Sequence, residues 1–162
     1  VFRSVRETLE AGHSVGQSVI GTESKVIFPG GAEFRVLFPA NGAVKASSET
    51  NEGSIVARLV FGDMSFLFTG DLPHEETVLP DIAPTKILKV AHHGSKYSTS
   101  DEWLSRVRPD DAIISVGKNR YGHPSDEILS RLRQRGVRIL RTDQRGDIVY
   151  VCRETSCHLE GE

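Results

Sequence analysis

Long hydrophobic runs are missing from this sequence. Its apolar stretches, such as "SFLF" at 65–68, last only a few residues, against the roughly 20 that a bilayer-spanning helix needs. Cysteine is nearly absent as well. The two present, Cys152 and Cys157 beside His158, are too few for a disulfide-stapled scaffold, and the C-x4-C-H string offers too few ligands for a metal site of its own. They read as residues of a tail spanning 152–162. An excess of one charge is also lacking: 20 Lys and Arg stand against 22 Asp and Glu, a net of -2. That excludes a global basic field, so any anion or nucleic-acid binding has to be local. The first residue is Val1 rather than Met, with no signal-peptide pattern after it, and the chain reads as a fragment or processed piece.

The material present is that of a globular domain. A chain of 162 residues with 38% hydrophobic and 26% charged content suits one domain, and folding at this length hides about 70% of the extended-chain surface. Val1, Phe2, Val5 and Leu9 recur at helical spacing before Gly12, which predicts a first helix over 1–11. Short β-like runs follow at 25–28, 33–38, 54–61 and 64–68, separated by the turn pairs Gly30-Gly31 and Gly62-Asp63. This half is expected to be mostly antiparallel, with one long loop over 40–53.

The second half changes rhythm. "KILKVA" (86–91) predicts a strand, and Thr99 with Glu102 a capping box ahead of Trp103, Leu104 and Val107. "DAIISVG" (111–117) predicts another strand, and "SDEILSRLRQRG" (125–136) a helix with Ile128, Leu129 and Leu132 inward. "VRILRT" and "DIVYVC" add two more strands. Strand runs followed by β-α-β-α alternation imply an α/β (α+β) fold with a mixed sheet layered by helices.

Three polar points lie just past predicted strand ends, where functional side chains of layered sheets gather on one rim. Asp71 closes "FTGD", His92 and His93 open "HHGSK", and His123 sits in "RYGHP". A carboxylate off a sheet edge can bridge cations, although Gly-Asp also serves as a plain turn. Neutral imidazole is the commonest metal ligand, and the alternation of a strand would send one histidine of the pair toward a site and the other away. Ser95 and Lys96 add a hydroxyl and a cation that suit an anionic substrate.

The run of "TGD", "HHGS" and "RYGHP" at these spacings, over roughly 25–151, resembles the metallo-β-lactamase-fold hydrolases, and among them the C-terminal domain of ComEC-type DNA-uptake (competence) proteins. That resemblance implies an αββα sandwich with a dinuclear site for zinc or manganese. On the matching motifs, Asp71 and His93 are expected as metal ligands, with His92 the alternative ligand or a supporting residue. His123 and His92 are expected in catalysis, and Ser95, Lys96 and Asn51 in substrate binding.

The family's strand-end H-x-[HD]-x-D-H string occurs nowhere in the 162 residues. The resemblance therefore implies a sandwich incomplete at its N-terminus, with residues 1–151 forming the C-terminal portion of one domain. Such a chain is expected to hold metal weakly by itself. The activity implied is that of a metal-dependent phosphodiesterase or nuclease acting on DNA. The implied setting is a soluble domain of a bacterial inner-membrane protein, on an unspecified side of the membrane, or alternatively a cytoplasmic protein. Two other functions compete. One is a non-catalytic module that binds DNA or a partner through Lys96, Lys118, Arg120, Arg131, Arg133 and Arg135. The other is a hydrolase of a small phosphoester or lactone, since fold does not dictate chemistry.

Overall fold

Turn chemistry and period-two patterning account for the first strands. In this computed structural model, which describes residues 22, 24–39, 50–153 and 156–161, β1 (Lys25–Ile27) and β2 (Glu33–Phe38) form a hairpin around Gly30 and Gly31, both at positive φ. β3 (Val56–Phe61) and β4 (Met64–Phe68) form a second hairpin around Gly62-Asp63. From β4 onward the pairing becomes parallel, through β5 (Ile87–Lys89), β6 (Asp111–Ile114) and β7 (Arg138–Arg141). The result is one seven-stranded mixed sheet in the order β1 to β7, as the change of rhythm in the sequence implies. The helix expected over 1–11 and the loop residues 40–49 lie outside the described residues; Thr50–Gly53 is a single 3-10 turn.

The helices Asp101–Val107 and Asp126–Gln134 cross over between parallel strands and cover one face of the sheet. Leu67, Leu88, Ala112 and Ile114 from the strands meet Trp103, Leu104, Val107, Ile128 and Leu132 from the helices in a buried core. Burial of each large side chain contributes about 1.5–3 kcal/mol, so this layer anchors the strand ends that carry the functional loops. The first of these helices starts one residue later than its capping-box pattern predicts. Ser100 is the cap, its hydroxyl accepting from Trp103 N at 3.1 Å, because Thr99 is engaged elsewhere: its backbone N–H and hydroxyl both donate to the buried carboxylate of Glu75.

The opposite face of the sheet carries Leu59, Phe61, Phe66, Phe68 and Ile113, which line a groove of about 560 Å³ with Tyr150. Here sits a hairpin of β8 (Tyr150–Arg153) and β9 (Ser156–Leu159). Tyr150 packs edge-on against Phe66 at 5.6 Å and donates its hydroxyl to Asp111, which also takes a bidentate pair of 2.7 Å bonds from Arg138. The residues expected as a tail from 152 onward are therefore largely strand, and Cys152 and Cys157, facing each other across the hairpin, form a disulfide. Two cysteines five apart gave no local sign of this, because the pairing depends on the register of β8 and β9, which the sequence does not spell out. Of the two-sheet sandwich, the described residues supply the seven-stranded sheet, its helical layer and this small hairpin.

Candidate active site

Parallel pairing explains why three loops meet. β4, β5 and β6 are parallel neighbours about 4.8 Å apart, so the residues after each strand emerge side by side on one edge. Asp71 follows β4, His92 and His93 follow β5, and Ser115 and then His123 follow β6. Backbone bonds tie the first two loops together, with His92 N donating to Gly70 O at 3.1 Å and Thr69 Oγ1 donating to Lys89 O at 2.6 Å. Gly70 has φ +57°, and a Cβ there would stand 3.0 Å from Ser54 Cβ. Only glycine fits such a position without strain. The close approach lets Ser54 Oγ accept from Asp71 N at 3.1 Å, holding the aspartate at the rim.

His92 and His93 do not continue the strand. Both lie in a 3-10 turn over Ala91–Gly94 with left-handed backbones, φ 48° and 55°, so turn geometry rather than strand alternation sends them apart. A left-handed non-glycine residue costs about 1–2 kcal/mol, and two in succession are the kind of strain found where position matters more than stability. His93 Nδ1 lies 2.6 Å from Ser115 O. A carbonyl only accepts, so Nδ1 carries a proton, and in a neutral imidazole the lone pair is on Nε2. That nitrogen stands 3.7 Å from Asp71 Oδ1. Two acceptors facing each other repel unless a proton or a cation lies between them, and a histidine held by a carbonyl behind it is the usual metal-ligand arrangement.

The other histidine of the pair turns to the third loop. The rings of His92 and His123 meet at 5.7 Å, edge to face. His123 precedes Pro124 through a cis peptide, and Gly94 makes the contact of the two loops possible: a Cβ there would lie 2.7 Å from Pro124 Cβ. Ser125 N donates to Gly94 O at 2.9 Å, leading straight into the Asp126–Gln134 helix. Burial, then the nearby His92 and His93, push the His123 pKa below its ordinary value. Its Nδ1 is buried with no hydrogen-bond partner among the described residues.

The sequence reading missed several contributors. Asn119 organises the loop of His123, its Oδ1 accepting from Tyr121 N and His123 N at 3.0 and 3.1 Å, and its Nδ2 donating to Gly117 O and His123 O at 3.0 and 2.8 Å. Lys89, beneath Asp71, donates to Gly70 O at 3.0 Å. Burial lowers its pKa while the Asp71 carboxylate acts to raise it. The strand pattern alone points Lys89 away from the Leu88 core but cannot show that a carboxylate lies above it.

The expected substrate-binding residues fare differently. Ser95 is 3% exposed, and its hydroxyl accepts from Tyr97 N at 3.4 Å within its own turn, so it closes the loop instead of facing a substrate. Lys96 is exposed, 5.0 Å above the ring of Tyr97. Asn51 enters through its carbonyl, which accepts from Ser54 N at 3.0 Å and so positions the serine that holds Asp71. Among the described residues no group of three or more His, Cys, Asp and Glu side chains gathers around one point. Asp71 and His93 are a pair, one short of the three protein ligands of a catalytic zinc. The described residues alone do not fit such an ion.

The sequence pattern of the metallo-beta-lactamase superfamily matches residues 38–118, a span that holds Asp71, His92 and His93. The chain is 42% identical to ComE operon protein 3 of Bacillus subtilis, over 73% of this chain and 16% of the relative. It is 33% identical to competence protein ComA of Neisseria gonorrhoeae, over 74% of this chain and 18% of that protein. Recombination protein 2 of Haemophilus influenzae is 39% identical over 63% of this chain and 13% of its own length. The chain thus spans less than a fifth of the curated relatives it matches. Among solved structures, a mutant of CmlA beta-hydroxylase superposes with a TM-score of 0.50 at 14% identity, covering 77% of this chain and 32% of that one. At that identity the likeness speaks for the fold alone.

Proposed function

The chain belongs to the metallo-beta-lactamase superfamily and is a relative of ComEC-type competence proteins, and from that premise we propose that it is part of a metal-dependent phosphodiesterase acting on DNA during uptake. The observation that carries this reading is the pair of opposed acceptors: His93 Nε2, freed by its Nδ1 bond to Ser115, faces Asp71 Oδ1 at 3.7 Å.

In this proposal Asp71 and His93 would hold one side of a zinc or manganese site, which needs at least one further protein ligand. A metal bound there would supply hydroxide at neutral pH. The chain's own residues do the rest. His123, its pKa lowered by burial, donates a ring N–H to a phosphate oxygen, and His92 braces its ring. Lys96 contributes an exposed cation on the same rim. The parent of such a domain would sit in the inner membrane, as a competence role implies; among the described residues no helix is long and apolar enough to cross a membrane.

The test pairs turnover with direct detection of the ligands. With zinc or manganese added, the 162-residue chain is expected to hydrolyse bis(p-nitrophenyl) phosphate only slowly, because the pair is one ligand short. Ring-nitrogen NMR is expected to show zinc perturbing His93 Nε2 in the wild type and far less in Asp71→Ala. Zinc that leaves the His93 signals unmoved would remove Asp71 and His93 from the proposal. Rapid turnover abolished by Asp71→Ala would overturn the ligand count. A second reading, a module that binds DNA without cleaving it, is favoured by that same shortage of ligands, and salt-sensitive DNA retention with no turnover at any metal concentration would support it.

A further inference from the structure

The loop that presents His123 also builds an aromatic shelf that hydrolysis does not require. Tyr121 is 69% exposed, yet its ring is not loose: one face stacks on His123 at 5.9 Å and 23°, and its backbone N–H is held by Asn119. Arg120 places its guanidinium carbon 5.5 Å from the ring centroid. Beside the shelf, a cleft of about 400 Å³ is lined by His93, Lys118, Asn119, Tyr121, His123 and Thr142, so the exposed ring and the candidate metal ligand share one cavity. On the neighbouring loop the combination recurs, with Tyr97 62% exposed and Lys96 Nζ 5.0 Å from its ring. Exposed aromatic rings accompanied by cations stand at the mouth of the site. They are what single-stranded nucleic acid recognises, since stacking takes the base and the cation takes the phosphate.

We propose that Tyr121 is a stacking platform for an unpaired base next to the site, with Lys118 and Arg120 pairing the adjoining phosphates, so that the preferred ligand is single-stranded rather than duplex DNA. The proposal rests on the nucleic-acid reading given above, but needs neither metal nor turnover. A duplex hides its base faces within its own stack and can use only the cations. A strand with free bases uses both. On binding, the exposed Arg120 side chain leaves the ring for the phosphate and the base takes its place over Tyr121.

The test is fluorescence anisotropy in EDTA, where no hydrolysis occurs, with an oligothymidylate of about 12 nucleotides, an abasic oligomer of equal length, and a duplex. The expected result is binding of oligothymidylate that weakens about 5- to 150-fold in Tyr121→Leu, is largely kept in Tyr121→Phe, and is weaker for the abasic oligomer and the duplex. Equal affinity for the abasic and base-bearing oligomers overturns the proposal, as does a Tyr121→Leu variant that binds like the wild type. Preference for duplex, or no binding at all, overturns it too. Because metal is absent throughout, each of these results is independent of whether Asp71 and His93 support hydrolysis.

Discussion

Replacing Gly94 by alanine tests the contact that joins the two histidine loops. Gly94 has φ +82°, and its added Cβ would lie 2.7 Å from Pro124 Cβ and 3.1 Å from Pro124 Cα. Neither neighbour can swing aside, since one belongs to a rigid ring and the other to backbone. Gly122 is the internal control: φ is +72°, but a Cβ there meets nothing within 4 Å among the described residues. Both substitutions incur the left-handed penalty of about 1–2 kcal/mol. Only Gly94→Ala adds overpacking, about 1–3 kcal/mol more. With a urea slope of about 1–3 kcal/mol per molar, that difference is on the order of 1 M in unfolding midpoint. The single tryptophan makes the measurement direct, because Trp103 is 0% exposed in the core and its fluorescence reports global unfolding. Gly94→Ala is also expected to move the His123 ring signals away from those of His92, while Gly122→Ala leaves the pair in contact. Coincident midpoints for the two variants would refute the argument, since they would mean that the Gly94–Pro124 approach constrains nothing.

Two other outcomes follow from buried and loop polar groups. Burial raises the Glu75 pKa above its ordinary 4.5, against the hydrogen bonds of Thr99. The folded state therefore holds that proton more tightly than the unfolded one, and the associated stability is full below about 4.5 and is lost as pH rises through the folded value. Relative to Glu75→Gln, which cannot ionise, the wild type should lose stability over that rise and then run parallel; an opposite slope in denaturation curves collected across pH would contradict the assignment. Asn119→Ala removes four bonds to the His123 loop, but water can replace them on this exposed segment, so the global cost should be only about 1–2 kcal/mol. Hydrogen exchange at the amides of Tyr121 and His123 should accelerate while core amides stay protected. Unchanged exchange there would show that Asn119 does not hold the loop.

What the residues alone determined was local. The β-like runs, the glycine pairs between strands and the periodic Ile128, Leu129 and Leu132 were enough for the strands, the turns and the inward helix face, because each depends on neighbours a few positions away. The motifs at strand ends also put Asp71, His92, His93 and His123 on one rim, a consequence of parallel order that the strand-helix rhythm already contains. The contacts that orient each histidine came from the tertiary structure. His93 faces Asp71 because Ser115 O, 22 residues away, accepts its Nδ1 proton. His92 meets His123 because Gly94 has no side chain where Pro124 passes. Thr99 leaves the helix cap because Glu75 is buried beneath it, and Cys152 finds Cys157 because the register of β8 and β9 sets them opposite each other. The opening residues of "HHGS" are strained into left-handed conformations that their own sequence would not choose, and only contacts made by distant segments can hold them there.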